Sequence, residues 1–328
     1  MLGPIIISIP GTDLSVDDHK LLSDPAIGGV ILFSENFINK HQLQRLVRSI
    51  KDIKNPDLLV FVDQEGGRIQ RFRKDFFDLP SHRELGRVYD QNINNGVRSA
   101  ELTGYIMAAE LISLGIDLSF SPVVDIDYGI SEVISDRAFH SDPLVVSELA
   151  KSYIAGMVNA GMKPVAKHFP GHGAVLADSH TDQPVDSRSI SDIEKDIGPY
   201  LELMKNNLTG IMTAHIVFPS IDCNIATFSK KWLNEILKQK YSYEGFIVNY
   251  GKQKNVDRLS QLINYLDKDY VDKIDTDSLV GQVIEDIIEE LDPHSVYIPS
   301  KDTQIISENM KGNFVGIGVS FFMIRDTI

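Results

Sequence analysis

The chain has a single cysteine, Cys223, so an internal disulfide framework is excluded and a reducing compartment is the natural setting. The expected role of Cys223 is that of a small, buried or half-buried hydrophobe. There is no basic surplus: the formal charge is −14, and a chain with so few spare cations has little to neutralise nucleic-acid phosphates. Nor is there an uncharged apolar run of the roughly 18 residues that a membrane span needs. The N-terminus lacks a basic leader, and the short apolar run Ile5 to Ile9, bounded by Pro4 and Pro10, reads as a buried strand rather than a signal peptide. No internal repeat or low-complexity tract is present. These absences predict a cytoplasmic globular protein that binds neither nucleic acid nor membrane.

What is present is alternation. Short apolar runs at Ile5 to Ile9, Gly28 to Phe33, Leu58 to Val62, Leu118 to Val124, Lys163 to Lys167, Gly210 to His215 and Phe246 to Asn249 read as strands. Amphipathic segments lie between them, one carrying Leu43, Leu46, Val47, Ile50 and Ile53, another Leu149, Tyr153, Ile154 and Met157, a third Trp232, Leu233, Ile236 and Leu237. Strand and helix in repeated alternation imply parallel strands with right-handed crossovers, and about seven of them suit a (β/α) barrel. Polar residues gather where the strands end: Asp63, Gln64 and Glu65; Asp125 and Asp127; Lys167 and His168; Thr213 and His215. That is the side on which such barrels place their chemistry. After residue 250 the pattern changes to two helical stretches, around Leu259 to Leu266 and Leu279 to Leu291, then a glycine-containing strand from Phe314.

Three polar clusters stand out. Lys167-His168-Phe169-Pro170-Gly171-His172-Gly173, with Asp178-Ser179-His180 after it, combines imidazole, amine and carboxylate groups on a backbone bent by Pro and Gly. An Asp two residues before a His can support an imidazole that moves protons; alone, the pair would more simply be a turn with an exposed His. A zinc site from His168, His172, Asp178 and His180 ranks below this, because Pro170 and Gly171 prevent a helix from aligning the imidazoles. In Val62 to Arg71, the Gly66-Gly67 pair permits a sharp turn that exposes Asp63, an acceptor for hydroxyls, with Arg71 as a donor; the plainer alternative is a surface salt bridge. In Ser135 to Phe139, Arg137 beside Asp136 would ordinarily be a solvated pair.

At these three clusters the chain resembles the family 3 glycoside hydrolases, specifically bacterial cytoplasmic β-N-acetylglucosaminidases of peptidoglycan recycling. The matching segments are Val62 to Phe72, Ser121 to Phe139, Lys167 to His180 and Ile211 to Asp222, within a likeness spanning about residues 5 to 248. The resemblance implies a TIM-type barrel, a general acid/base at His180 supported by Asp178, and contacts to an N-acetylglucosamine unit from Asp63, Arg71, Arg137, Lys167 and His168. It also implies retaining hydrolysis of terminal non-reducing GlcNAc from GlcNAc-anhydroMurNAc and its peptides, without cofactor or metal. The family's nucleophilic Asp falls just after the seventh strand; here that run is Phe246-Ile247-Val248-Asn249-Tyr250-Gly251, which contains no aspartate. Weak hydrolysis is the expected consequence, with an inactive sugar-binding or interaction protein as the alternative.

Residues from about 251 resemble the amino-terminal region of family S41 carboxyl-terminal processing proteases, through Tyr270 to Asp272, Thr276 to Leu279, Leu291 to Pro299 and Gly312 to Val319. The expected layout is therefore α/β: an incomplete barrel over 1–250, a helical segment over 251–312 and the first strand of a PDZ-like domain over 313–328. The switch near residue 250 suggests a chain joined from two unrelated segments. The protease Ser and Lys that the S41 likeness calls for are absent, so it implies no protease activity.

Overall fold

Residue alternation along each strand explains the architecture. In the computed structural model, which describes residues 2–176, 184–206 and 208–249, every second strand residue faces one of two separate apolar cores. Val30, Leu32, Val60, Val62, Ala166 and Ile211 point outward into the larger core, against the helices. Their neighbours Ile31, Phe61, Val165, Met212 and Val248 point inward and meet on the barrel axis with Leu118 and Phe120. Phe61 and Phe120 stack there, 5.2 Å between centroids. Two cores on the two faces of one curled parallel sheet are what a barrel of alternating strands and helices requires.

The strands β1 (Ile5–Ser8), β2 (Ile27–Leu32) and β3 (Leu59–Val62) come in chain order. A small antiparallel hairpin, β4 (Gln64–Gly66) and β5 (Ile69–Gln70), succeeds β3. The sheet continues through β6 (Leu118–Ser119), β7 (Val165–Phe169) and β8 (Gly210–Thr213). A second hairpin, β9 (Val217–Phe218) and β10 (Asp222–Ile225), precedes β11 (Phe246–Val248). Two parallel sheets, β1-β2-β3-β6 and β7-β8-β11, are joined by a parallel bridge between Val123 and Lys167. All seven strands expected from sequence are present in sequential order. Among the described residues, β1 and β11 each pair with one strand.

The helices α1 (Val16–Leu22), α2 (Lys40–Lys51), α3 (His82–Gln91), α4 (Ile93–Ser113), α5 (Pro143–Asn159) and α6 (Ile190–Met204) cover the outside. Asn39 caps α2, its side chain accepting from the Gln42 amide, and α2 buries Leu43, Leu46, Val47 and Ile50 as its spacing predicts. Pro143 opens α5 behind an Asp142 cap, and Leu149, Tyr153 and Met157 enter the core. The segment around Trp232 forms a π-helix, Lys231–Lys240, whose buried Trp232 and Leu237 lie five residues apart. Cys223, expected buried or half-buried, is exposed on β10, at the outer hairpin rather than in the core. The helical and PDZ-like segments expected beyond residue 250, and Asp178 and His180, lie outside the described residues.

Candidate active site

Inward alternation does not stop at the ends of the strands. Phe61 faces the barrel axis, so Asp63 and Glu65, two and four residues later, turn to the same side. Val165 likewise puts Lys167 inward, and its Nζ lies 2.6 Å from Asp63 Oδ1 and 2.5 Å from Glu65 Oε1. The β4–β5 hairpin turns through Gly66 (φ +111°) and Gly67 (φ +55°), which L side chains disfavour, and a Cβ on Gly66 would stand 2.3 Å from the Pro80 carbonyl. Buried Gln64 fixes the strand end at Arg71 and Phe72: its Oε1 accepts from both of their amides, and its Nε2 donates to the Phe72 carbonyl. Arg71 is thereby held over the Phe33 ring, with Nη2 3.8 Å from Asp63 Oδ2.

Arg137 comes from another element, the 3-10 turn Ser135–Arg137. Its guanidinium forks onto Glu65, Nε to Oε2 and Nη2 to Oε1, both 2.9 Å, a bidentate geometry suited to planar Arg and carboxylate groups. Asp136, by contrast, faces outward to Arg68, Nε to Oδ1 at 2.8 Å. The simple Arg-beside-Asp pairing suggested by sequence therefore does not occur; Arg137 takes a partner 72 residues away. Burial alone would raise the Glu65 carboxyl, but Arg137 and Lys167 outweigh it and hold it well below the usual carboxylate range. Arg137 is correspondingly held charged.

His168 completes the cluster. Its Nδ1–H donates to Asp125 Oδ2 at 2.7 Å, and its Nε2 receives Arg137 Nη2 at 3.4 Å. Arg can only donate, so this arrangement selects the neutral imidazole with its proton on Nδ1. Burial first, then Arg137 and Lys167, hold the His168 pKa well below its ordinary value. Asp125 is fully buried, and its Oδ1 also accepts the backbone amides of His168 (3.3 Å) and His172 (2.8 Å). His172 stands edge to face with His168, centroids 5.6 Å apart, and burial lowers its pKa to about 4. Behind them His82 stacks on Phe139 at 4.2 Å and contacts the Arg137 carbonyl through Nδ1; burial lowers its pKa to about 4.

The structure thus brings together all five described contact residues expected from the sequence: Asp63, Arg71, Arg137, Lys167 and His168. Glu65, Asp125 and His82 carry no role readable from sequence motifs alone. Glu65 is legible through period-two alternation from Phe61, whereas His82 belongs to a helix whose contact with Arg137 no local spacing reveals. Chemically, Arg71, Arg137 and Lys167 are matched by Asp63, Glu65 and Asp125, leaving a balanced array of donors and acceptors that fits a neutral polyhydroxylated ligand. Asn249, at the end of β11, accepts the Thr213 hydroxyl through its side-chain Oδ1 at 2.9 Å. A cleft of about 610 Å³ beside α3 and α4, lined by Phe77, Leu85, Val88 and Leu102, contains none of these groups. Among the described residues no three His, Cys, Asp or Glu side chains are grouped to hold a metal ion, and no helix is long and apolar enough to cross a membrane.

The profile of the Glycosyl hydrolase family 3 N terminal domain matches residues 7–265. A Beta-hexosaminidase from Nitrosospira multiformis is 48% identical over 247 residues, 75% of this chain and 71% of that protein. One from Aromatoleum aromaticum is 48% identical over 248 residues, 75% of this chain and 70% of that protein. Native NagZ from Neisseria gonorrhoeae superimposes with a TM-score of 0.77 at 38% identity, over 79% of this chain and 78% of that one. The same protein in complex with N-trifluoroacetyl-D-glucosamine gives 0.74 at 36% identity, over 87% and 79%. The chain belongs to glycosyl hydrolase family 3, through the family's N-terminal barrel domain.

Proposed function

We propose that the barrel mouth binds the terminal non-reducing N-acetylglucosamine of peptidoglycan fragments, GlcNAc-anhydroMurNAc and its peptides, and hydrolyses the bond only feebly. The observation carrying this reading is the charge-balanced cluster of Asp63, Glu65, Arg137, Lys167 and His168, with Asn249 at the end of the seventh strand. Beta-hexosaminidase relatives and the glucosamine-derivative complex of the gonococcal protein support the sugar assignment. In a retaining mechanism a carboxylate attacks the anomeric carbon while an acid protonates the departing oxygen, and water then releases the sugar from the enzyme. His180, with Asp178 stabilising its charged form, is assigned the acid/base role. Asp63, Arg71, Arg137, Lys167 and His168 hold the sugar. The run Phe246 to Gly251 offers no carboxylate to attack, and losing the covalent partner costs many orders of magnitude in rate.

The single cysteine supports a cytoplasmic setting, and no cofactor is assigned. We take the barrel to be incomplete and the tail beyond it to be a helical segment like the S41 amino-terminal region with the first strand of a PDZ-like domain, in a joined chain, which would bring no protease chemistry. Asn249 also favours a second reading, a sugar-binding protein without catalysis. An assay with 4-nitrophenyl β-N-acetylglucosaminide on the purified chain separates the readings: trace turnover is expected. Turnover at ordinary enzyme rates, about 1–1000 per second, would overturn the impairment.

A further inference from the structure

We propose that Glu65 is the positioning residue of the sugar site, a carboxylate that never needs to touch the ligand but fixes the two cations that do. This rests on the sugar-binding reading above. Three observations carry it. First, Glu65 and its partner Lys167 are each 2% exposed, against 11% for Arg137 and 18% for Asp63, so the carboxylate is closed in behind the groups nearer the mouth. Second, both oxygens are committed: Oε1 to Arg137 Nη2 and Lys167 Nζ, Oε2 to Arg137 Nε. Third, those partners come from different elements, Arg137 from the 3-10 turn that follows β6 and Lys167 from strand β7, while Glu65 itself lies just beyond β3. One side chain therefore ties three separate segments together at the barrel mouth.

The consequence for binding is geometric. Arg137 and Lys167 are long side chains with several rotatable bonds, and each would otherwise lose that freedom when a sugar arrives. With Glu65 in place, Arg137 presents a fixed guanidinium edge and keeps Nη2 next to His168 Nε2, so the donor and acceptor pattern exists before the ligand does. The low pKa of Glu65 fits this role, since the clamp stays charged throughout the neutral range. Asp63 has one oxygen on Lys167 and the other 3.8 Å from Arg71, and remains the acceptor left for ligand hydroxyls.

The test uses the full chain, its Glu65→Gln variant and its Arg137→Lys variant. Methyl β-D-N-acetylglucosaminide and its 3-, 4- and 6-deoxy analogues are titrated by calorimetry, with the Arg Nε–H resonances followed by NMR. Wild-type chain should discriminate sharply among the analogues. E65Q should bind the parent sugar about ten- to a hundredfold more weakly and lose that discrimination, because hydroxyl recognition is what the clamp organises. The protected Nε–H resonance of Arg137 should vanish in E65Q. R137K, which keeps the charge but lacks the fork, should reproduce the binding pattern even if E65Q fails to fold. Equal weakening for every analogue, or unchanged binding, would overturn the proposal. If wild type binds no sugar, the functional reading fails by itself; persistence of the Arg137 resonance in E65Q then overturns the clamp, and its loss supports it.

Discussion

Buried ionisable side chains dominate the chemistry at the residue scale. His82, His168 and His172 sit in or behind the cluster as neutral rings, with His82 and His172 held down to about 4 by burial. In the unfolded chain each titrates near 6.5. Between about pH 4 and 6.5 the unfolded state therefore binds more protons, so stability rises with pH across that window and is lost on acidification. His82→Gln removes one of these sites. Urea unfolding at a series of pH values between about 4.5 and 6 should show a pH slope lower by about 1 kcal/mol per unit in the variant than in wild type. Identical slopes would mean that His82 does not titrate as the fold implies.

Helix contacts set the frame at the scale of elements. A Cβ on Gly104 of α4 would stand 2.1 Å from the Tyr153 carbonyl of α5, and one on Gly156 of α5 would stand 1.9 Å from the Glu101 carbonyl of α4. These reciprocal glycines let the two helices touch backbone to backbone. Gly104→Ala or Gly156→Ala should cost about 1–3 kcal/mol through overpacking. By contrast a Cβ on Gly198 in α6 would meet nothing within 4 Å, so Gly198→Ala should stabilise by about 0.4–1 kcal/mol. Thermal melts of the three variants check both signs together. The seven barrel strands are legible in sequence as short apolar runs between helical patterns, several of them nearly continuous in Val, Ile and Leu. The hairpins β4–β5 and β9–β10 are not, since ladders of two to four residues with polar or glycine content leave no periodic signal. The helices α3 and α4 between β5 and β6 are similarly muted: Ile93, Leu102, Tyr105 and Ile112 are exposed on α4, which blurs its buried stripe. At the site, the family resemblance points to the five expected contact residues, and the strand-end pattern already contains Glu65 and Asp125, but that these two hold Arg137, Lys167 and His168 shows only once distant segments are adjacent.

At the scale of the whole molecule, the barrel separates two tasks. Its outer core, between strands and helices, stabilises the fold, while its inner column of Ile31, Phe61, Val165, Met212 and Val248 forms an apolar floor under the polar cluster. The chain's overall charge of −14 is not echoed among the described residues there: Arg71, Arg137 and Lys167 pair with Asp63 and Glu65, and the third carboxylate, Asp125, is bonded to the neutral His168. A neutral mouth on an acidic protein suits an uncharged sugar and gives no reason for a charged ligand to prefer it. Lys167 is the group on which this balance depends most: it is 2% exposed and bonded to both Asp63 and Glu65, so Lys167→Met leaves two carboxylates facing each other. Removing one partner of a buried ion pair costs about 3–5 kcal/mol. The proposed sugar site is therefore best probed by calorimetric titration of methyl β-D-N-acetylglucosaminide into wild type and Lys167→Met, with circular dichroism confirming that both are folded. Wild type should give a saturable one-to-one isotherm, and the variant should give none. An absence of binding by wild type, or equal binding by the two proteins, would contradict a sugar site built on this cluster.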